Sequence, residues 1–257
     1  MDETIKYFNT SIDDVTCTIA FKFRQRSPDL VIFLHGLGCA MHSFDMAFES
    51  PYLRDLSLLS MDFPGFGASS RPERFPYTLK SHAQAIENLL AIYPSHRHHI
   101  VAHSMGAAIA LLLPENRLKH ITTFVNIEGN LIREDCGLIS RNSSDVSFET
   151  FVKHHFKRTK NPLWNTEYRN FSLDAASPWA FYKSAKSLVY WSESGKLLKI
   201  FTALKCRKAY VYGDKNKEAP VLATLEDLEK IPVAGCGHFV MNDNPDHFYR
   251  ILGQLIG

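Results

Sequence analysis

Apolar residues along the chain fall into short unbroken runs separated by helical spacings. Residues 30–34, Leu-Val-Ile-Phe-Leu, form such a run and stop at His35-Gly36-Leu37-Gly38. Residues 56–61 form another, stopped by Asp62-Phe63-Pro64-Gly65-Phe66-Gly67. A strand with one wet face would alternate, so runs like these predict strands buried on both faces. Residues 16–23 do alternate, and they read as an antiparallel edge strand. A helix is expected from about Thr78 to Ile92, capped by Tyr77 or Thr78. Its apolar positions are Leu79, Ala83, Ile86, Leu89 and Leu90, and Pro94 ends it. A short strand follows at His99–His103, then a helix of small residues from Met105 to Leu113, halted by Pro114. Ile121–Ile127 is a β-branched strand.

The rhythm breaks from about Leu131 to Leu204, where no buried strand is legible. That stretch mixes polar residues with Trp164, Trp179, Trp191, Tyr182 and Tyr190. Helical spacing over 147–158 and 178–191 predicts a helical insertion. Alternation resumes with a strand at Ala209–Gly213, a helix over 219–229, a strand at Ile231–Ala234 and a terminal helix over Pro245–Ile256. Strands alternating with helices predict an α/β fold, a mostly parallel sheet with helices on both faces. Its core would be residues 1–130 and 205–257, and residues 131–204 the insertion.

Composition narrows the function. At 257 residues and 45% hydrophobic, the chain can bury a large core and is not generally disordered. The charges, 29 basic against 27 acidic, give no electrostatic reason to expect nucleic acid or an anionic membrane. No run approaches the roughly 20 apolar residues of a membrane span. The first residues lack the apolar run of a signal peptide. Cysteines 17, 39, 136, 206 and 236 form no CxxC pair, so neither zinc nor a disulfide framework is expected. A cytoplasmic protein follows, with the N-x-[ST] triplets at Asn9, Asn142 and Asn170 as chance matches. Oligomeric state leaves no signature.

One motif carries chemistry. Ala102-His103-Ser104-Met105-Gly106 lies between a strand and a helix. This is the G-x-S-x-G nucleophile elbow with Ala for its first glycine. Such a sharp turn needs small residues two before and two after the serine. It lifts the hydroxyl clear of the sheet and sets it at a helix N-terminus, where N–H groups favour developing negative charge. The loop His35–Gly38 can aim a backbone N–H at an oxyanion. Gly235-Cys236-Gly237-His238-Phe239 follows a late strand and can project an imidazole.

These residues, in this order, resemble the α/β-hydrolase fold family over nearly the whole chain outside the insertion. The resemblance implies Ser104 as nucleophile and His238 as general base. It also implies the N–H groups of Leu37 and Met105 as oxyanion hole and residues 131–204 as a cap. A serine hydroxyl is a poor nucleophile until a base takes its proton, and an imidazole can take that proton and return it. Serine at 104 argues against the branches of the family that use a carboxylate nucleophile.

The acid departs from the family pattern. Its common place is the fourth position of a G-x-x-D stretch after the strand that follows the cap. Here that stretch is Gly213-Asp214-Lys215-Asn216, and Asn216 carries no charge. Glu128, at the end of the strand before the cap, is the preferred replacement. Asp214 is the alternative, and Glu218, or no acid at all, is the third option. The reaction expected is hydrolysis of a small carboxylic ester, thioester or lactone through an acyl-enzyme, with no metal or organic cofactor. An aminopeptidase or a carbon–carbon bond hydrolase could use the same residues. A non-catalytic ligand-binding protein on this fold has Asn216 as its one support.

Other candidates have plainer readings. His96, His98, His99 and His103 alternate faces and lack carboxylate or thiolate company at ligand spacing. His154 and His155 lie on a basic, solvated helical face, and Cys39 is a buried filler. Phe66 is a packing residue. Trp164, Trp179, Trp191 and Tyr182 line either a substrate pocket or the core of the cap itself.

Overall fold

The computed structural model describes residues 4–160 and 170–257. Eight strands form one sheet: β1 (Lys6–Ile12), β2 (Val15–Arg24), β3 (Asp29–Leu34), β4 (Ser57–Met61), β5 (Arg97–His103), β6 (Ile121–Ile127), β7 (Arg207–Gly213) and β8 (Glu229–Val233). Their spatial order is β1-β2-β4-β3-β5-β6-β7-β8. β1 pairs with β2 and β2 with β4 antiparallel, and every other pairing is parallel. The fold class is therefore the one the alternation predicts. β3 and β4 are buried almost throughout because helices cover both faces of the sheet. Separate apolar clusters lie on the two faces, one including Ile32, Ile100 and Phe124, the other Val31, Val101 and Phe248.

Two expectations need correction. The strand at 16–23 is antiparallel but not at the edge, since β1 lies outside it. The Asp13-Asp14 turn between them holds both residues at positive φ, 49° and 58°, and closes a hairpin in which Ile12 faces Val15. β1 escapes the pattern because most of its side chains face solvent and an edge strand needs no apolar run. The second correction concerns residues 219–229, which hold a single helical turn, Val221–Thr224. Register explains it: Glu229 lies opposite Ala209, so the chain must already be extended there. By contrast, the helix Leu79–Leu90 is capped by Thr78 Oγ1, which accepts from Ser81 N–H, and the terminal helix spans Pro245–Ile256.

Between β6 and β7 the described residues form helices joined by turns, with no strand among them. The long helix Pro178–Glu193 packs on the helix Leu138–Ser144. Trp164 lies outside the described residues. Several hydrogen bonds fasten this segment to loops and helices of the sheet. Ser177 N–H donates to Gly65 O at 2.8 Å, Ser172 N–H to Gly38 O at 2.9 Å, and Leu79 N–H to Ser187 Oγ at 3.0 Å. Gly65 has φ +91°, and a Cβ there would lie 2.3 Å from that of Ala180, so the two backbones meet only because position 65 is glycine.

A buried histidine joins the same parts. Ser184 Oγ donates to Tyr77 O, so His82 Nε2–H must donate to Ser184 Oγ, at 3.0 Å. Burial pushes the His82 imidazole down to about 3. Buried His35, His98, His99 and His103 are also held below the ordinary imidazole range, chiefly by lost hydration. At each of these sites the unfolded chain takes up protons first. Their contribution is complete above about pH 6.5 and is lost as the pH falls below it, for His82 down to about 3. Asp135, raised to about 6 by burial, and His42, raised by its hydrogen bond to Asp45, act in the opposite sense. Urea midpoints are expected to fall as the pH is lowered from about 7 to about 4.5, and His82→Gln to flatten that slope. A midpoint that rises on acidification contradicts this balance.

Candidate active site

β5 ends at His103, and the next residue turns sharply. Ser104 has φ 51° and ψ −121°, outside the regions an L-residue adopts without strain. The helix Met105–Ala110 begins at the following residue, so its first N–H groups have no acceptor within the helix. Gly106 lets this helix press on the end of β3. A Cβ there would lie 2.5 Å from Leu34 O and 2.7 Å from His35 O. The closest neighbours of Gly106 are thus backbone atoms at and just past the end of β3, which is why the residue two after the serine must be small. Ser104 is half-buried at the rim of a cavity of about 370 Å³.

The loop after β3 is held by a neutral imidazole. His35 Nδ1–H donates to Gly36 O at 2.8 Å, and its Nε2 accepts from Phe63 N–H at 3.1 Å. A protonated ring could not accept that second bond, and desolvation of the fully buried ring keeps it neutral. Asp62 ties two loops together by accepting from Met41 N–H and Ala68 N–H, each at 2.7 Å. Phe66 packs between the His35 and His82 rings. Leu37 reaches the cavity wall on this loop.

His238 follows β8 and enters the same cavity. Its Nδ1 lies 2.9 Å from Glu128 Oε2, and the Glu128 side chain is 10% exposed. Glu128 sits one residue past β6 with φ 43°, and its N–H is bound to Val211 O. Its Oε1 accepts from Gly213 N–H at 2.8 Å, and Asn216 Nδ2 lies 2.8 Å from both of its oxygens. The carboxylate on His238 Nδ1 is therefore Glu128's. Asp214 points its Oδ1 into a buried place with no hydrogen-bond partner among the described residues. Glu218 is exposed and lines a neighbouring cleft.

The insertion supplies part of the cavity wall, through Ile139, Ser140, Phe171 and Leu188. Trp179 and Tyr182 pack instead with Phe148, and Trp191 lies against Tyr190, so these aromatics belong to the packing of the insertion. Cys39 is buried and borders the cavity. Three polar wall residues have no sequence signal, Asn130, Asp135 and Ser140. Asp135 Oδ2 accepts from Leu131 and Ile132 N–H, and burial raises its carboxyl to about 6. No lysine or arginine lines the cavity among the described residues. The clustered histidines have separate partners: His98 binds Tyr93 O, His99 Asp29 and His103 the His238 carbonyl. Among the described residues no group of three potential ligands is placed to hold a metal ion.

A serine in a strained strand-to-helix turn, facing a cavity shared with a carboxylate-bound histidine, on a mostly parallel sheet, defines a class of proteins. The alpha/beta hydrolase fold family model matches residues 29–187, and the chain belongs to that family. Among curated relatives, it is 39% identical over 103 residues to "Probable lysophospholipase BODYGUARD 4" of Arabidopsis thaliana, covering 38% of this chain. The matched stretch is 25% of that protein, and about a quarter of the mouse Mesoderm-specific transcript protein is matched likewise. Among solved structures, a mutant of N-acyl homoserine lactonase AidH complexed with N-hexanoyl homoserine lactone superposes with TM-score 0.77 at 14% identity, covering 98% of this chain and 97% of that one. A thermophilic esterase from Thermogutta terrifontis does so with TM-score 0.74 at 14% identity, covering 98% and 100%. Among the described residues no helix is long and apolar enough to cross a membrane.

Proposed function

We propose that the chain is a serine hydrolase of small, uncharged carboxylic esters, thioesters or lactones, acting through an acyl-enzyme. The observation that carries this reading is the 2.9 Å contact of His238 Nδ1 with Glu128, made at the wall of the cavity that Ser104 also lines. With Nδ1 committed to the carboxylate, Nε2 is the ring nitrogen that takes the Ser104 proton as Oγ attacks the carbonyl carbon. The oxyanion develops against the N–H groups of Leu37 and Met105. His238 then returns the proton to the departing alcohol, and water, activated by the same ring, releases the acid. No step calls for a cofactor.

The cavity supports the substrate class. Its volume of about 370 Å³ is near the lower end of the range for ligand pockets, about 300–1,000 Å³. Its wall is largely apolar, carries the Asp135 carboxyl and, among the described residues, has no lysine or arginine, which favours uncharged substrates. The name of the Arabidopsis relative points to ester chemistry as well. With p-nitrophenyl esters of increasing acyl length, kcat/KM is expected to be at least about tenfold higher for acetate to hexanoate than for palmitate. A preference for palmitate, or for an ester with a free carboxylate in its acyl chain, contradicts this assignment. The binding-module alternative rested on Asn216, and that residue is bonded to Glu128.

A further inference from the structure

Asn216 stands where the acid of this family commonly stands, and it cannot hold a charge beside an imidazole. It donates instead. Its Nδ2 lies 2.8 Å from both oxygens of Glu128, and Gly213 N–H reaches Oε1 at the same distance. A carboxylate only accepts, so chemistry fixes which end of the amide faces it. We propose that Asn216 is a positioning residue, whose amide holds the Glu128 carboxylate in the orientation that presents Oε2 to His238 Nδ1. The proposal rests on the reading of Glu128 as the triad acid.

The physical need is specific to this arrangement. Glu128 leaves β6 with a positive φ, and its carboxylate must cross the end of β7 to meet a ring carried by the loop after β8. Glutamate has three side-chain torsions, so a carboxylate reaching this far samples several rotamers unless it is anchored. The anchor is itself fixed, because Asn216 O accepts from Ala219 N–H at 2.9 Å and Lys217 N–H caps the turn on Asp214 O. An aspartate at 216 would set a second negative charge against the first, and the pair could not ionise together without cost. An apolar residue would offer no donor. Asparagine supplies the N–H without the charge, so the amide belongs with an acid that has moved to the neighbouring strand.

A double-mutant cycle tests this. Wild-type chain, Asn216→Ala, Glu128→Gln and the double variant are assayed on p-nitrophenyl butyrate, with kcat and KM separated and active sites counted by fluorophosphonate titration. Asn216→Ala is expected to lower kcat about 10- to 100-fold, the loss typical when the partner orienting a functional side chain is removed. KM should stay within about twofold, since no bound substrate contact is lost. In the Glu128→Gln background the same substitution should cost less than about threefold, because the carboxylate it serves is gone. A merely structural role would cost the same factor in both backgrounds, and that result overturns the proposal. So does an unchanged kcat in Asn216→Ala. If Glu128→Gln alone turned over normally, the acid assignment would fail first and the positioning role with it.

Discussion

Glu128→Gln is expected to lower kcat by a factor of about 10³ or more with little change in KM, by analogy with amide-for-carboxylate lesions in other serine triads. The local hydrogen bonds make the effect predictable in sign. Gly213 N–H and Asn216 Nδ2 both donate to this side chain, so the amide oxygen of Gln would turn towards them. Its NH₂ would then face His238 Nδ1 and impose the tautomer with the proton on the wrong nitrogen. The imidazolium formed during attack would also lose its counter-charge. Steady-state kinetics on a p-nitrophenyl ester measures both numbers. Turnover within a few-fold of wild type would remove Glu128 from the catalytic group.

Ser104→Ala should be more severe, with kcat reduced by about 10⁵–10⁶, the scale found when a triad nucleophile is deleted. Alanine keeps the Cβ, so the strained turn and the packing of Gly106 on β3 are retained. Thermal melting of the variant should therefore match wild type within a few degrees, about the scale of 1 kcal/mol in a chain of this size. A large loss of activity at unchanged stability separates a chemical role for the hydroxyl from a structural one. Retained activity at unchanged stability would show that the chemistry lies elsewhere.

Most of the fold is legible in the chain because the parallel strands are buried on both faces and leave unbroken apolar runs, as at residues 30–34. β1 is not, since an edge strand with solvent on its side chains leaves no such mark. The helix expected over 219–229 has the right residue types, but the pairing of β8 with β7 overrides local preference. At the site, Ser104 stands out through its small-residue turn between strand and helix, His238 through its glycine-rich turn, and Glu128 through its place at a strand end. Asn216 reads as a deficit along the sequence, where only its missing charge is visible. Its role as a donor depends on a contact between residues 88 positions apart. Phe171, Leu188 and Asp135 reach the cavity from the insertion, whose packing has no simple period to follow.

The most direct test of the account is peptide mapping of the protein after reaction with a fluorophosphonate. An activated serine attacks phosphorus as it would a carbonyl carbon, and the adduct stays because its hydrolysis is slow. A single adduct on Ser104, formed in step with loss of ester turnover and absent from Ser104→Ala, is the predicted result. Turnover that continues undiminished while Ser104 is fully labelled, or an adduct confined to another residue, would contradict it.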